Sequence, residues 1–261
     1  MIATRQNRNA LRVVTWNIHK GVRGLGPARS LQIHNIAYAL AQMDADLICL
    51  QEVRAHNHRE AKRFAHWPQA TQADYLAPQG YEAIYHSNAV TKDGEHGNAL
   101  ISRWPIVQMR HEDMSDHRFE QRGLLHAQVQ TPQALVHVLV LHLGLMGTSR
   151  QRQLAQTAAY MKTHIPAGDA VVIAGDFNCK RLARQWAAQT VDFSPELLAP
   201  ATFPSRLPMR QLDHVFARGL LTQTLQVPRG RAWLEMSDHL PLIAELQWPP
   251  NCPEPRNRRA S

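Results

Sequence analysis

At 261 residues and 44% hydrophobic side chains, the chain can bury one large core, and no linker divides it, although length alone also allows two small domains. Its cysteines, Cys49, Cys179 and Cys252, are scattered without CxxC spacing, which argues against a disulfide framework or a structural zinc site. No apolar run is long enough to span a bilayer, so a soluble, cytoplasmic protein is expected, and its 29 Lys and Arg against 21 Asp and Glu give a formal charge of +8 that attracts polyanions such as nucleic acid, anionic lipid headgroups or phosphorylated small molecules.

In chain order, LRVVTWNIH (11 to 19) reads as a strand, SLQIHNIAYALAQM (30 to 43) as an amphipathic helix begun by Ser30, and DLICLQEV (46 to 53) as a second buried strand. YEAIYHS (81 to 87), NALISRWPIV (98 to 107), GLLHAQVQ (123 to 130) and ALVHVLVLHLG (134 to 144) follow as strands with short connections, which suggests antiparallel neighbours. TSRQRQLAQTAAYMKTH (148 to 164) reads as a helix capped by Thr148 or Ser149, leading into the strand VVIAGDFN, and LDHVFA (212 to 217) and HLPLIAEL (239 to 246) supply the last strands. About eight strands in two groups, each with a helix, suit two sheets packed face to face with helices outside. The segments 54 to 80 and 189 to 211 are the least regular and are candidate substrate walls. Residues 1–10 are expected to form a flexible start, 11–248 one domain, and 249–261, rich in Pro and Arg, a disordered basic tail.

Polar residues able to do chemistry recur where buried runs end or begin. Asn17 ends VVTWN, Gln51 and Glu52 end DLICLQE, His142 ends LVLH, and Asp176 and Asn178 end VVIAGDFN, while Asp213 with His214 and Asp238 with His239 stand at the start of the last two runs. Each alone reads as a turn former or a hydrogen-bonded filler; six coincidences do not. Acids with amides and no cysteine suit a hard, oxygen-seeking ion such as Mg²⁺ or Mn²⁺ better than zinc.

The stretches TWNIHKG, DLICLQEV, HGNALISRWPI, LHLGL, AGDFN, LDHVF and SDHLPL, in that order, resemble the successive motifs of the endonuclease/exonuclease/phosphatase superfamily, the DNase I-like fold, from about residue 11 to 247. WNIHKG and HGNALISR with EQRG (120 to 123) are most similar to a bacterial subgroup of it. The resemblance implies an α/β (α+β) fold, a four-layered α/β/β/α sandwich of two mixed sheets with outer helices. It also implies a Mg²⁺- or Mn²⁺-dependent hydrolase of phosphodiester bonds, acting on nucleic acid or a phospholipid headgroup.

Carried over by position, Glu52 matches the principal metal ligand, Asn17 the amide that orients metal and water, and Asp238 a metal or water contact. Asp176 and Asn178 match the pair that positions the attacking water and contacts the phosphate. His239 matches the catalytic histidine, Asp213 the acid that orients it, and His142 a second histidine that touches the phosphate or assists the leaving group. Arg122, Asn98 and His96 are weaker candidates for substrate phosphate, weighed evenly against a surface ion pair and a turn; His19 and Lys20 belong at the rim. His214 departs from the Tyr or Arg-like residue of many relatives, which leaves its role open. Trp67, Trp104, Trp186 and Trp233 read as core anchors. A monomer with peripheral membrane contact at most is expected. The competing readings are a catalytically silent binding module on the same fold and an inositol-phosphate phosphatase.

Overall fold

The computed structural model describes residues 9–24, 26–190, 193–194 and 197–250 of the chain. Most of the expected flexible start and basic tail therefore lies outside the described residues.

The chain opens with strand β1 (Ala10–Asn17), a small ribbon of β2 (Val22–Arg23) and β3 (Ser30–Leu31), helix α1 (Ile33–Met43) and strand β4 (Leu47–Val53). Two short helices, α2 (His58–Arg63) and α3 (Gln72–Leu76), precede β5 (Glu82–Thr91), β6 (Gly94–Ser102), β7 (Ile106–Asp113), β8 (Gly123–Gln130) and β9 (Leu135–His142). Helix α4 (Gly147–His164), β10 (Ala170–Asp176), α5 (Lys180–Gln189), β11 (Asp213–Arg218), β12 (Leu221–Gln226), α6 (Trp233–Met236) and β13 (Leu242–Gln247) complete it.

The long strands form one six-stranded sheet, in the order β12-β13-β1-β4-β6-β5, and one five-stranded sheet, in the order β11-β10-β9-β8-β7. Each sheet contains one parallel pair, β1 with β4 and β9 with β10, and antiparallel neighbours elsewhere. A parallel pair needs a crossover, and α1 and α4 supply the two. Alternation along the strands then feeds three apolar layers. Val13, Cys49, Leu100, Val138, Val172 and Val215 meet between the sheets. Trp16, Ile48 and Leu50 pack outward on Ile36 and Leu40 of α1, and Leu139 and Ile173 pack outward on Leu154 of α4 and Trp186 of α5. The fold is thus the expected four-layered sandwich, and its central strands are apolar on both faces because both faces are covered.

The structure corrects several boundaries. Ser30 does not begin α1: it pairs with Arg23 in the small ribbon, and the helix starts at Ile33 without a side-chain cap. The strand expected at 98 to 107 is two strands in different sheets. Ser102 Oγ donates to the Trp104 carbonyl at 2.7 Å and turns the chain just before Pro105, which has no N–H to continue a ladder. Helix α4 starts at Gly147, and Ser149, rather than capping it, donates to Asp116 Oδ2 at 2.6 Å. The segment 54 to 80 holds α2 and α3, each capped by a side chain that the sequence reading did not use, Asn57 and Thr71. Trp186 and Trp233 are core anchors as expected, against Phe177 and Trp16 respectively.

One glycine fixes how closely β9 and β10 meet. A Cβ on Gly175 would lie 1.9 Å from the Leu141 carbonyl oxygen, a backbone atom with no rotamer to escape into. Gly175→Ala is expected to lower unfolding free energy by about 1–3 kcal/mol, the usual cost of forced overpacking, in urea denaturation. An unchanged midpoint would show that the two strands part without cost.

Candidate active site

The inter-sheet core becomes polar at one end, and strand alternation explains why. The inward series Leu11, Val13, Thr15 of β1 ends on Asn17; Val136, Val138, Val140 of β9 ends on His142; and Ala170, Val172, Ala174 of β10 ends on Asp176. Strand β11 opens on Asp213 before inward Val215 and Ala217. Asp176 pairs in register with His142 on one side and Asp213 on the other, so the three stand in a row across the five-stranded sheet.

Glu52 reaches the same mouth by breaking alternation. Leu47 and Cys49 face inward, while Ile48, Leu50 and Val53 face outward. One residue too many lies between Leu50 and Val53, the ladder with β6 shifts there, and Glu52 takes a left-handed φ of 56°. Such a conformation costs a non-glycine residue on the order of 1–3 kcal/mol and persists only where its surroundings impose it. Here it aims the carboxylate at Asn17.

Asn17 ties the sheets together. Its Nδ2 donates to Glu52 Oε1 at 3.1 Å and to Asp176 Oδ2 at 3.2 Å, while its Oδ1 accepts from the His19 amide at 3.0 Å. Around Asp176 Oδ2 also stand His142 Nε2 at 3.6 Å and His239 Nε2 at 3.7 Å. The other ring nitrogen of His239 lies 2.9 Å from Asp213 Oδ2, and both residues are buried. The loop carrying His239 is pinned from below: Ser237 Oγ donates to the Asn17 carbonyl at 2.7 Å and Trp16 Nε1 to the His239 carbonyl at 2.9 Å. Asn178 also adopts a left-handed φ, 52°, with its amide N–H on Asp176 Oδ1 and its Nδ2 on the Leu143 carbonyl, both at 2.9 Å.

The charges divide by environment. Burial alone would lift the Glu52 carboxyl, but the Lys20 ammonium paired with its Oε2, together with His142 and His19, holds it far below the usual carboxylate range. Burial raises Asp176. Burial also disfavours charge on His239, yet Asp213, Asp176 and Asp238 outweigh it and raise the imidazole from 6.5 to about 10. His142 goes the other way, pushed down to about 4 by burial and by Arg122. Two histidines a short way from one carboxylate oxygen are thus a charged imidazolium and a neutral imidazole at neutral pH.

The remaining expected residues are placed unevenly. Asp238 sits at the edge with Oδ2 3.2 Å from His19 Nδ1, and its carboxyl is lowered, burial being offset by His19 and His239. Arg122 donates from Nε to the Leu143 carbonyl at 3.2 Å and from Nη2 to Glu120 Oε1 at 3.2 Å, which holds the loop after His142. His96 is partly buried and pushed to about 4 by burial and by Lys20, its charged neighbours being those of the mouth. Asn98 is fully buried and spends its amide on the Gly123 and Val140 carbonyls of the other sheet, at 2.9 and 3.2 Å. His214 faces away from the mouth, stacked on Phe216 and edge-on to Phe177. Gln51 is buried against Thr15. The sequence reading missed Ser237, Trp16 and Phe203, whose ring lies 4.9 Å from that of His239.

The donor set fits a hard divalent ion. The Glu52 carboxylate already draws in the ammonium of Lys20 and accepts from the Asn17 amide, and carboxylate and amide oxygens are the ligands that such an ion takes. One ligand atom each of Asp176, Asp213 and His239 also lie within 4.8 Å of one another, a second place where acids and an imidazole crowd together. While His239 is protonated it has no lone pair to give, so the Glu52 and Asn17 side suits the ion better.

Residues 14–239 match the pattern of the Endonuclease/Exonuclease/phosphatase family. The chain is 32% identical over 246 residues to the uncharacterized protein YbhP of Escherichia coli K12, covering 91% of this chain and 96% of that one. Its fold is similar to the endonuclease/exonuclease/phosphatase of Beutenbergia cavernae (TM-score 0.71, 23% identity, 92% of this chain and 72% of that one). It is also similar to D. rerio TDP2 crystallised with a single-strand DNA product (TM-score 0.65, 16% identity, 92% and 100%).

The His239 shift fixes a pH dependence. Its folded value exceeds the ordinary 6.5, so the contribution is complete below 6.5 and is lost as pH rises through about 10; for His142, stability falls as pH drops from 6.5 through about 4. In the metal-free protein the His239 ring is expected to stay protonated at pH 8 by ¹⁵N NMR, and Asp213→Asn to bring its titration to 7 or below. A wild-type ring titrating near 6.5 would contradict the ion pair.

Proposed function

The chain belongs to the endonuclease/exonuclease/phosphatase family, and from that premise we propose that it is a divalent-metal-dependent phosphodiesterase. The observation that carries the reading is the convergence on Asp176 Oδ2 of Asn17, His142 and His239, with His239 backed by Asp213. Nucleic acid and phospholipid headgroups share the phosphodiester group that such a site would cleave; the TDP2 fold supports the first only by analogy.

Hydrolysis adds a water oxygen to phosphorus, breaks the bond from phosphorus to the leaving oxygen, and returns a proton to that oxygen. Charge grows on the phosphoryl oxygens and the leaving group, so the site must supply positive charge and donors there. Glu52 and Asn17 would hold the ion, with Asp238 beside them, and Mg²⁺ or Mn²⁺ when bound would add positive charge and acidify water.

The side chains divide the remaining work by protonation state. Asp176, raised by burial, is the carboxylate suited to take the proton of the attacking water, with Asn178 fixing its other oxygen. His239, cationic at neutral pH and held in one orientation by Asp213, donates toward the phosphoryl or leaving oxygen. Neutral His142 offers an N–H to a phosphoryl oxygen without repelling the imidazolium beside it. Arg122 and His96 complete the phosphate-facing wall, and the left-handed turns at Glu52 and Asn178 keep the donors fixed before substrate arrives.

His239→Ala is expected to cut turnover of bis-p-nitrophenyl phosphate by about 100-fold or more, the usual size of lost general acid-base work, with an unfolded fraction no larger than wild type at the assay temperature. Wild-type turnover in that variant would remove His239 from the mechanism.

A further inference from the structure

Among the described residues, thirteen large apolar side chains are exposed, and five of them sit on three loops at the end of the molecule that carries Asp176. Phe119 (81% exposed) lies on the loop before β8; Leu145 and Met146 lie just beyond His142; Leu207 and Met209 lie on the segment that runs into Asp213. Chain connectivity places these loops together. Leu124 of β8 pairs with Leu141, beside His142, and the Leu145 amide donates to Glu120 Oε1 at 2.9 Å, joining the first two loops. The Ser205 amide donates to the Asp238 carbonyl at 2.7 Å, joining the third to the loop of His239.

The same rim is basic. Residues 143 to 150 and 202 to 211 contain no acid, while Arg206 and Arg210 are exposed on the second and Lys180 and Arg181 are exposed where α5 begins, two residues beyond Asn178. In the Phe119 loop the acids are engaged, Asp116 by Arg152 and Ser149 and Glu120 by Arg122, whereas Arg118 lies over the Phe119 ring, 4.7 Å from its centroid. Apolar tips interleaved with Arg and Lys are what an interface between anionic headgroups and acyl chains takes. A single-strand nucleic acid would instead use planar rings for its bases, and only one of the five tips is aromatic.

We propose that this rim seats the mouth of the site on an anionic phospholipid surface, presenting Asp176 and His239 to headgroup phosphodiesters; the substrate part rests on the phosphodiesterase reading, the docking does not. No helix among the described residues is long and apolar enough to cross a membrane, so the contact is peripheral.

The test is co-sedimentation of the full chain with vesicles of phosphatidylglycerol and phosphatidylethanolamine, and separately of phosphatidylcholine. Wild type is compared with Phe119→Ser/Leu145→Ser/Leu207→Ser and with Arg118→Glu/Arg206→Glu, and bis-p-nitrophenyl phosphate turnover serves as the check that each variant is folded. The expected result is partition at least about tenfold stronger on the anionic vesicles and an equal or larger loss in both variants, with diester turnover unchanged. Equal partition on both vesicle types, or variants that bind like wild type, would overturn the docking. So would a single-stranded oligonucleotide that binds through these same residues while vesicles do not. Vesicle binding without diester hydrolysis would leave the docking standing and remove the phosphodiesterase reading.

Discussion

The amide of Asn17 spans both sheets at the mouth, donating to Glu52 of one and Asp176 of the other. Two carboxylates brought to the end of an apolar core repel each other and lose hydration, and an unpaired buried charge is costly. A neutral donor shared between them lowers that cost without adding charge, and Lys20 on one side and His239 on the other supply the positive charge that remains necessary. The sandwich brings these groups into one place because the core between its sheets ends where the inward-facing series of β1, β9 and β10 all become polar.

The same frame explains why the site is rigid. Asp176, His142 and Asp213 stand in ladder register, and Gly175 lets β9 and β10 approach without a side chain between them. His239, on an irregular loop, is held through Ser237 and Trp16 to β1, so its orientation is set by the other sheet. Phosphoryl transfer rewards fixed donors more than any one powerful group, because the charge to be stabilised is spread over several oxygens. The structure spends backbone strain at Glu52 and Asn178 to obtain that fixity.

Much of this was legible in the residues, and the reasons for the rest are physical. Polar residues at the ends of buried runs gave the location of the site, because period-2 alternation continues past the apolar stretch and delivers the next inward residue to the mouth. Glu52 was legible from its place at the end of a buried run, but not how it reaches the mouth: only the bulge before Val53 turns it inward, and nothing in DLICLQEV announces an extra residue. The split of 98 to 107 into two sheets was signalled by Pro105, but the apolar run on both sides masked it. Asn98 read as a possible phosphate contact because polar residues near motifs look functional; its burial against two carbonyls of the facing sheet depends on sheet packing, which one strand's sequence does not encode. The exposed rim of Phe119, Leu145 and Leu207 was invisible for the opposite reason: isolated apolar residues in loops become a patch only when the fold gathers the loops.

The most direct test of the central claim is steady-state hydrolysis of bis-p-nitrophenyl phosphate by wild type and Asp176→Asn, each measured with Mg²⁺ and with excess EDTA. The site described here predicts turnover that requires the ion and falls by about 100-fold or more when Asp176 loses its charge, in a variant whose unfolding transition shows it is still native. Undiminished turnover by Asp176→Asn, or full turnover in EDTA, would contradict it.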